Sequence, residues 1–221
     1  DTLVFKSEYD NNNNEVLSLT YYKKTNELRD SVIRIYDDGK LIKSLAYDKE
    51  GNLEWSQYFK YDENGNDIEW ARNDEDGNLT NLHKSFIYNE SGNLMEWSGY
   101  SSSGKLDLVY KYKYDDEGNK LDFSQYYSNG NLCYKMKYNK NGKQIEQKFL
   151  DLEGNVTNEE KYDENGNIVN QKSYYVSHIS ETIYTYLEFD EKQNWTRRYE
   201  ITKEGALGGW NKYSKREIRY Y

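Results

Sequence analysis

The stretch Tyr47-Asp48-Lys49-Glu50-Gly51-Asn52-Leu53 recurs along the chain. It returns as Tyr61-Asp62-Glu63-Asn64-Gly65-Asn66 and as Tyr88-Asn89-Glu90-Ser91-Gly92-Asn93-Leu94. Further copies are Tyr114-Asp115-Asp116-Glu117-Gly118-Asn119 and Tyr162-Asp163-Glu164-Asn165-Gly166-Asn167-Ile168. From Gly39 to Gly166 the phrase glycines are spaced 12, 14, 12, 15, 12, 14, 12, 12, 12 and 12 residues apart, and the next, Gly205, follows after 39. Degenerate copies close that gap at His178 and Gln193, and extend the series upstream at Asn26 and Asn13. Asn and His are among the non-glycine residues that best tolerate positive φ. About sixteen turns then tile the chain.

A turn every dozen residues leaves one short element per repeat. Asp-x-x-Gly-Asn suits a type I turn closed by a left-handed glycine in a G1 bulge, the common three-residue hairpin loop. The aspartate carboxylate bonds backbone N–H groups ahead of it. Asp48 is then predicted to pair with Asn52, and Tyr47 to stand opposite Leu53 as a cross-strand pair. Between turns the pattern alternates. Leu53, Trp55, Gln57, Phe59 and Tyr61 share one face against Glu54, Ser56, Tyr58 and Lys60. The segments from Leu106 and Leu132 split in the same way, which is the period of a half-buried antiparallel strand. Where the apolar residue slips one place later (Ile68, Leu121, Ile145), a loop one residue longer is expected, since otherwise the faces would invert.

The fold class predicted is all-β, an antiparallel meander of tandem β-hairpins with about seventeen short strands. At about 4.8 Å per strand an open ribbon would run roughly 80 Å, so a coiled, folded-over or elongated single sheet is expected. Residues 1–221 read as one repeat domain, with atypical N-terminal repeats over 1–38 and a closing unit over 184–221.

Composition agrees with a surface-rich sheet. Leu, Ile, Val and Phe together make 42 of 221 residues, about the level at which disorder is suspected. Yet 25 Tyr, 5 Trp and 6 Phe supply rings that disordered chains lack. No apolar run is long enough for a membrane helix, and a polar face argues against an outer-membrane barrel. Thirty basic against 39 acidic residues, net charge −9, argue against a nucleic-acid surface. Cys133 is the only cysteine and reads as a structural thiol. The chain begins at Asp1, which a cleaved export signal and a trimmed start explain equally; a lipid anchor upstream is compatible with either.

Tyr-Asp-x-x-Gly-Asn-Leu with tyrosine-rich strands resembles the YD (Rhs-type) repeats of bacterial surface and secreted proteins. The stretch from Tyr186 to Arg198, followed by Arg216-Glu217-Ile218-Arg219-Tyr220-Tyr221, looks like the closing unit of such proteins in Bacteroidetes-like bacteria. The resemblance implies a hairpin repeat architecture over essentially the whole chain. In large members the repeats wrap around a toxic C-terminal domain; no such cargo domain is legible here. MORN-type repeats are more distantly similar. Cell-wall-binding repeats are a poor match, because Gly209-Trp210 is the single Gly-Trp pair.

Chemistry-bearing motifs are sparse. His83 and His178 have no metal-ligand spacing, Ser101-Ser102-Ser103-Gly104 is not a nucleophile elbow, and the scattered glycines form no phosphate cradle. Asp62-Glu63-Asn64-Gly65-Asn66 and Asp74-Glu75-Asp76-Gly77-Asn78 match only part of a calcium loop and read as turns. No cofactor or metal is expected. Trp55, Trp70 and Trp97 recur early in their strands; they either fill the ring-rich face or form aromatic platforms for a sugar or protein partner. The expectation is a non-enzymatic cell-surface or periplasmic module that binds a protein or glycan. The alternative is an intracellular antitoxin or immunity-type partner with MORN-like repeats. A carboxylate glycosidase is the weaker third reading.

Overall fold

The computed structural model describes residues 2–192, 194–204 and 207–215, with the backbone alone for Asn81, Leu82 and 207–215. Seventeen strands and no helix are found among the described residues. They gather into two compact units, Asp1–Val109 and Tyr110–Tyr221. The first contains β1 (Leu3–Tyr9), β2 (Glu15–Tyr22), β3 (Leu28–Asp37), β4 (Lys40–Asp48), β5 (Leu53–Tyr61), β6 (Asp67–Asp74), β7 (Leu79–Tyr88) and β8 (Leu94–Tyr100). The chain passes through β9 (Leu106–Tyr114) into the second unit. There follow β10 (Lys120–Tyr127), β11 (Leu132–Tyr138), β12 (Gln144–Leu150), β13 (Val156–Tyr162), β14 (Ile168–Tyr174), β15 (Ile179–Phe189), β16 (Trp195–Glu204) and β17 (Leu207–Lys215).

Within each unit every strand pairs antiparallel with the next in sequence. Among the described residues no register joins β1 to β8, or β10 to β17, so each unit is an open meander. The all-β hairpin architecture is the one the repeat predicts.

The turn phrase works as its chemistry requires. Asp48 N–H donates to the Asn52 carbonyl (3.0 Å) and Gly51 N–H to the Asp48 carbonyl (3.1 Å), with Gly51 at φ +86°. The Asp48 carboxylate accepts from the N–H groups of Glu50 (2.9 Å) and Asn52 (2.8 Å). Its second oxygen accepts from Asn52 Nδ2 (2.9 Å), which gives the asparagine of the phrase its own role. Tyr47 pairs with Leu53, Tyr88 with Leu94 and Tyr162 with Ile168. Asn13 and Asn26 take the left-handed conformation expected of them, at φ 64° and 55°.

Five turns depart from expectation. Asp38 and Gly39 both have positive φ (46° and 73°) between the paired Asp37 and Lys40, a two-residue type I′ loop in place of the three-residue one. At His178 the connection is also tight: Tyr175 N–H donates to the His178 carbonyl (2.9 Å), leaving Val176 and Ser177 as the loop. His178 itself is not left-handed, and the β14–β15 register has no bulge to require it. The loops before Ile68, Leu121 and Ile145 are not longer, since they carry the same bonds as the Asp48 loop. The faces are kept instead by a second bulge. Tyr61 pairs with Asp67 but Lys60 with Glu69, as Tyr47 pairs with Leu53 but Ala46 with Trp55. Two residues thus stand against one, and either of them can carry the apolar side chain. The turns expected at Gln193 and Gly205, and the closing residues 216–221, lie outside the described residues, although Asp190 and Asn194 close the former with the usual bond (2.9 Å).

The second bulge also explains the preference for tyrosine over phenylalanine. It interrupts the ladder two residues past the turn residue, where a backbone carbonyl needs another donor. Tyr61 Oη donates to the Leu41 carbonyl (2.9 Å), Tyr36 Oη to that of Glu15 (3.1 Å) and Tyr186 Oη to that of Ile168 (2.7 Å). Burial accordingly pushes the Tyr61 and Tyr186 phenols above their ordinary pKa. The interior is thin. Buried positions hold small side chains such as Ser44, Ala46, Ser56, Ser98, Ser124 and Cys133, and no large side chain is fully buried among the described residues. Burial raises the pKa of the Cys133 thiol, whose Sγ lies 3.3 Å from the Gln125 carbonyl, as suits a structural cysteine.

Candidate functional site

Residues directly paired across antiparallel strands share a face, as do residues two apart on one strand. Trp55 and Phe59 lie on one face of β5, and Phe59 pairs with Trp70 of β6. Trp70 pairs with Lys84 of β7; Phe86, two residues on, pairs with Trp97 of β8. The three tryptophans singled out from the sequence therefore stand on one face of the first unit. On β5 Trp55, Gln57 and Phe59 of this face are half-buried, whereas on the other side Tyr58 and Lys60 are exposed and only the small Ser56 is buried.

Two cations complete the row. The Arg72 guanidinium lies over the Trp55 ring, 4.1 Å from its centroid. Lys84 Nζ lies 5.2 Å from the centroid of Trp70 and 5.0 Å from that of Trp97. Each contact is within cation–π range and contributes about 0.5–1 kcal/mol at a partly exposed site. Neither cation has an ion-pair partner among the described residues. Asp74 shares this face but is committed to its own turn, accepting from the N–H groups of Asp76 (3.1 Å) and Asn78 (2.8 Å). Asp62 is committed in the same way, so both partial calcium-loop matches are occupied as turns. A reading of apolar residues alone misses Arg72 and Lys84. Arg72 stands two residues after Trp70 and could have been found by following the period along β6.

The opposite face of the same strands carries a self-paired polar group. Glu69 bonds Lys60 Nζ (2.6 Å) and His83 Nε2 (3.1 Å), and Lys60 holds its carboxyl below the usual glutamate range. The His83 ring stacks on Tyr100 at 4.5 Å, and Tyr100 Oη meets Ser85 Oγ at 3.1 Å. His178 stacks on Tyr175 at 4.7 Å with Ser177 Oγ on its Nδ1. Both histidines thus have local structural partners.

The second unit builds its less exposed face differently. On β15, Thr182, Tyr184 and Tyr186 are half-buried, and Ile183, Thr185 and Leu187 are exposed. A hydrogen-bonded belt crosses β11 to β15 on this half-buried side. Tyr134 Oη donates to Gln147 Oε1 (3.0 Å), and Gln147 Nε2 to Glu160. Gln171 Nε2 donates to Glu160 Oε1 (3.1 Å) and Tyr184 Oη to Gln171 Oε1 (3.0 Å). Tyr162 Oη adds a third donor to Glu160 (2.5 Å), and burial, with that bond, raises its phenol pKa far above the usual range. The other face is a Lys–Glu ladder that includes Lys137–Glu146 (3.1 Å), Lys148–Glu159 (3.7 Å) and Lys172–Glu181 (3.3 Å). This unit therefore links the side chains of five strands in one hydrogen-bonded belt, while the first has two indole-seated cations without acidic partners among the described residues.

No helix among the described residues is long and apolar enough to cross a membrane. No family model and no curated protein matches the chain. Among solved structures the chain is similar to the TcdB2–TccC3–Cdc42 crystal structure, with a TM-score of 0.36 and 12% identity over 96% of this chain and 14% of that one. A porin-like protein from Bacteroides uniformis matches with a TM-score of 0.31 and 10% identity, over 97% of this chain and 95% of that one. The chain spans 14% of the length of the first of these structures.

Proposed function

We propose that the chain is a non-enzymatic repeat protein of a bacterial cell surface or periplasm, and that the Trp55, Trp70 and Trp97 face binds a protein or glycan partner. One observation carries the reading: three tryptophans from three different strands converge on one face, interleaved with cations that have no ion-pair partner among the described residues. Large rigid rings give contact area at low conformational cost, which favours them in recognition surfaces. The compartment rests on the resemblance of the repeat to those of bacterial surface and secreted proteins. The test is a glycan array together with a pull-down from the cognate cell envelope, comparing wild type with the Trp55/Trp70/Trp97 triple alanine variant. Loss of ligands in the variant is expected. A variant that binds every ligand like wild type would remove the tryptophan face from the account.

A further inference from the structure

Resting on that reading, we propose that Arg72 and Lys84 form a paired carboxylate subsite that takes an extended acidic peptide segment of a partner protein. Both cations sit over indole faces. A sugar that stacks flat on Trp55, Trp70 or Trp97 has to displace them, whereas a carboxylate adds to the cation where it stands. The rings beneath fix the cations and lower the local polarity, which strengthens a charge-assisted hydrogen bond there.

Spacing selects the form of the peptide. Lys84 is paired with Trp70, and Arg72 lies two residues further along β6, at the irregularity in the β6–β7 register, so the two cations come from nearby positions on adjacent strands. On a regular ladder such strand positions stand about 7–8 Å apart; here the guanidinium rests over Trp55 of β5 and the ammonium over Trp70 and Trp97. In an extended chain, side chains two residues apart point the same way at about 6.7 Å. An Asp/Glu-x-Asp/Glu segment carries its carboxylates at a spacing of this order, and the reach of the acidic side chains brings one to each cation. Charge limits the number of carboxylates. The first unit has 12 Lys and Arg against 21 Asp and Glu, a net charge of −9, so it repels a long polyanion while the two cations attract locally. A short acidic segment fits this balance; a polyuronate or nucleic acid does not.

The experiment titrates the full chain with a synthetic Glu-x-Glu peptide, a Gln-x-Gln control and a polyuronate, followed by calorimetry at two salt concentrations. The Glu-x-Glu peptide should bind about tenfold more tightly than the control, and more weakly at high salt. Arg72→Gln and Lys84→Gln should each remove most of that preference. Arg72→Lys and Lys84→Arg, which keep the charge, should retain it, and a thermal melt shows whether each variant is folded. Equal binding of the two peptides, binding of the polyuronate alone, or preference unchanged in folded Gln variants would overturn the proposal. If acidic peptide fails while the triple alanine variant still loses its array or pull-down ligands, the subsite falls and the tryptophan face stands. If neither depends on these residues, both fall.

Discussion

The first unit lays its indoles under two cations that have no acidic partner among the described residues, where the second lays a belt of amides and phenols around Glu160 and pairs its indole-seated Arg198 with Glu200. The same hairpin turn builds both. Gly51 and Gly154 have nearly the same φ, 86° and 88°, and Asp48 and Asp151 make the same pair of turn bonds. Net charge separates the units as well: −9 over Asp1–Val109, and zero over Tyr110–Tyr221, where 18 basic residues meet 18 acidic ones. The turn phrase carries the backbone geometry, so the strand faces are free to differ. Among the described residues one face is left with cations that lack acidic partners, and the other joins its side chains in a continuous belt.

Substitutions can break that comparison. The largest effect is expected for Trp70→Ala, which removes a ring paired with Phe59 and seated under Lys84. For a half-buried ring the loss is about 2–3 kcal/mol, below the value for a fully buried one. Hydrogen exchange should rise in β5–β8 while β11–β15 keep their protection. Equal loosening of both sets of strands would dissolve the distinction. Glu160→Ala is the converse, leaving Gln147, Gln171 and Tyr162 without their shared acceptor at a cost of about 1–3 kcal/mol. Here the protection lost should be that of β12–β14.

Gly51→Ala and Gly154→Ala sharpen what the units share. Open space surrounds both positions, so each pays only for a left-handed backbone, about 1–2 kcal/mol. Denaturant melts of the two variants should agree; a large disparity would show that the turns are not equivalent. Acid acts on both units too. The Asn four residues on, through its side-chain amide and backbone N–H, holds Asp48, Asp62 and Asp115 below the usual aspartate range, and Asp151 is held by the same two groups. A depressed folded pKa contributes stability above the unfolded value, about 3.9, that is lost as pH falls through the folded one. Melting temperature should therefore fall below about pH 4 through these groups, and a profile flat down to pH 2 would remove them from the account. The smallest effect belongs to Lys148→Met in the half-buried Lys–Glu ladder, within about 1 kcal/mol and shrinking further in salt.

What was legible in the sequence was local. The bonds between Asp48, Gly51 and Asn52 span four residues, so the phrase itself announces the turn, its glycine and the Tyr47–Leu53 pair. The second bulge was not legible, because it is defined by which residue of the preceding strand stands opposite, as Lys60 opposite Glu69. It made a longer loop seem necessary before Ile68. The tight Val176-Ser177 connection escaped for a related reason, since the period marks where a turn falls and not its type. At the candidate site the tryptophans were visible by recurrence. Lys84 was not, for its two rings come from β6 and β8, and only the strand register brings them together.

The central claim is that recognition belongs to the first unit's aromatic face and that the second unit's belt is structural. The direct measurement is partner or glycan capture by two folded variants, Trp55/Trp70/Trp97→Ala and Tyr134/Tyr184→Phe. The account predicts that the first loses capture and the second, which removes two belt hydroxyls and keeps the rings, captures like wild type. Capture retained by the first and lost by the second would contradict it.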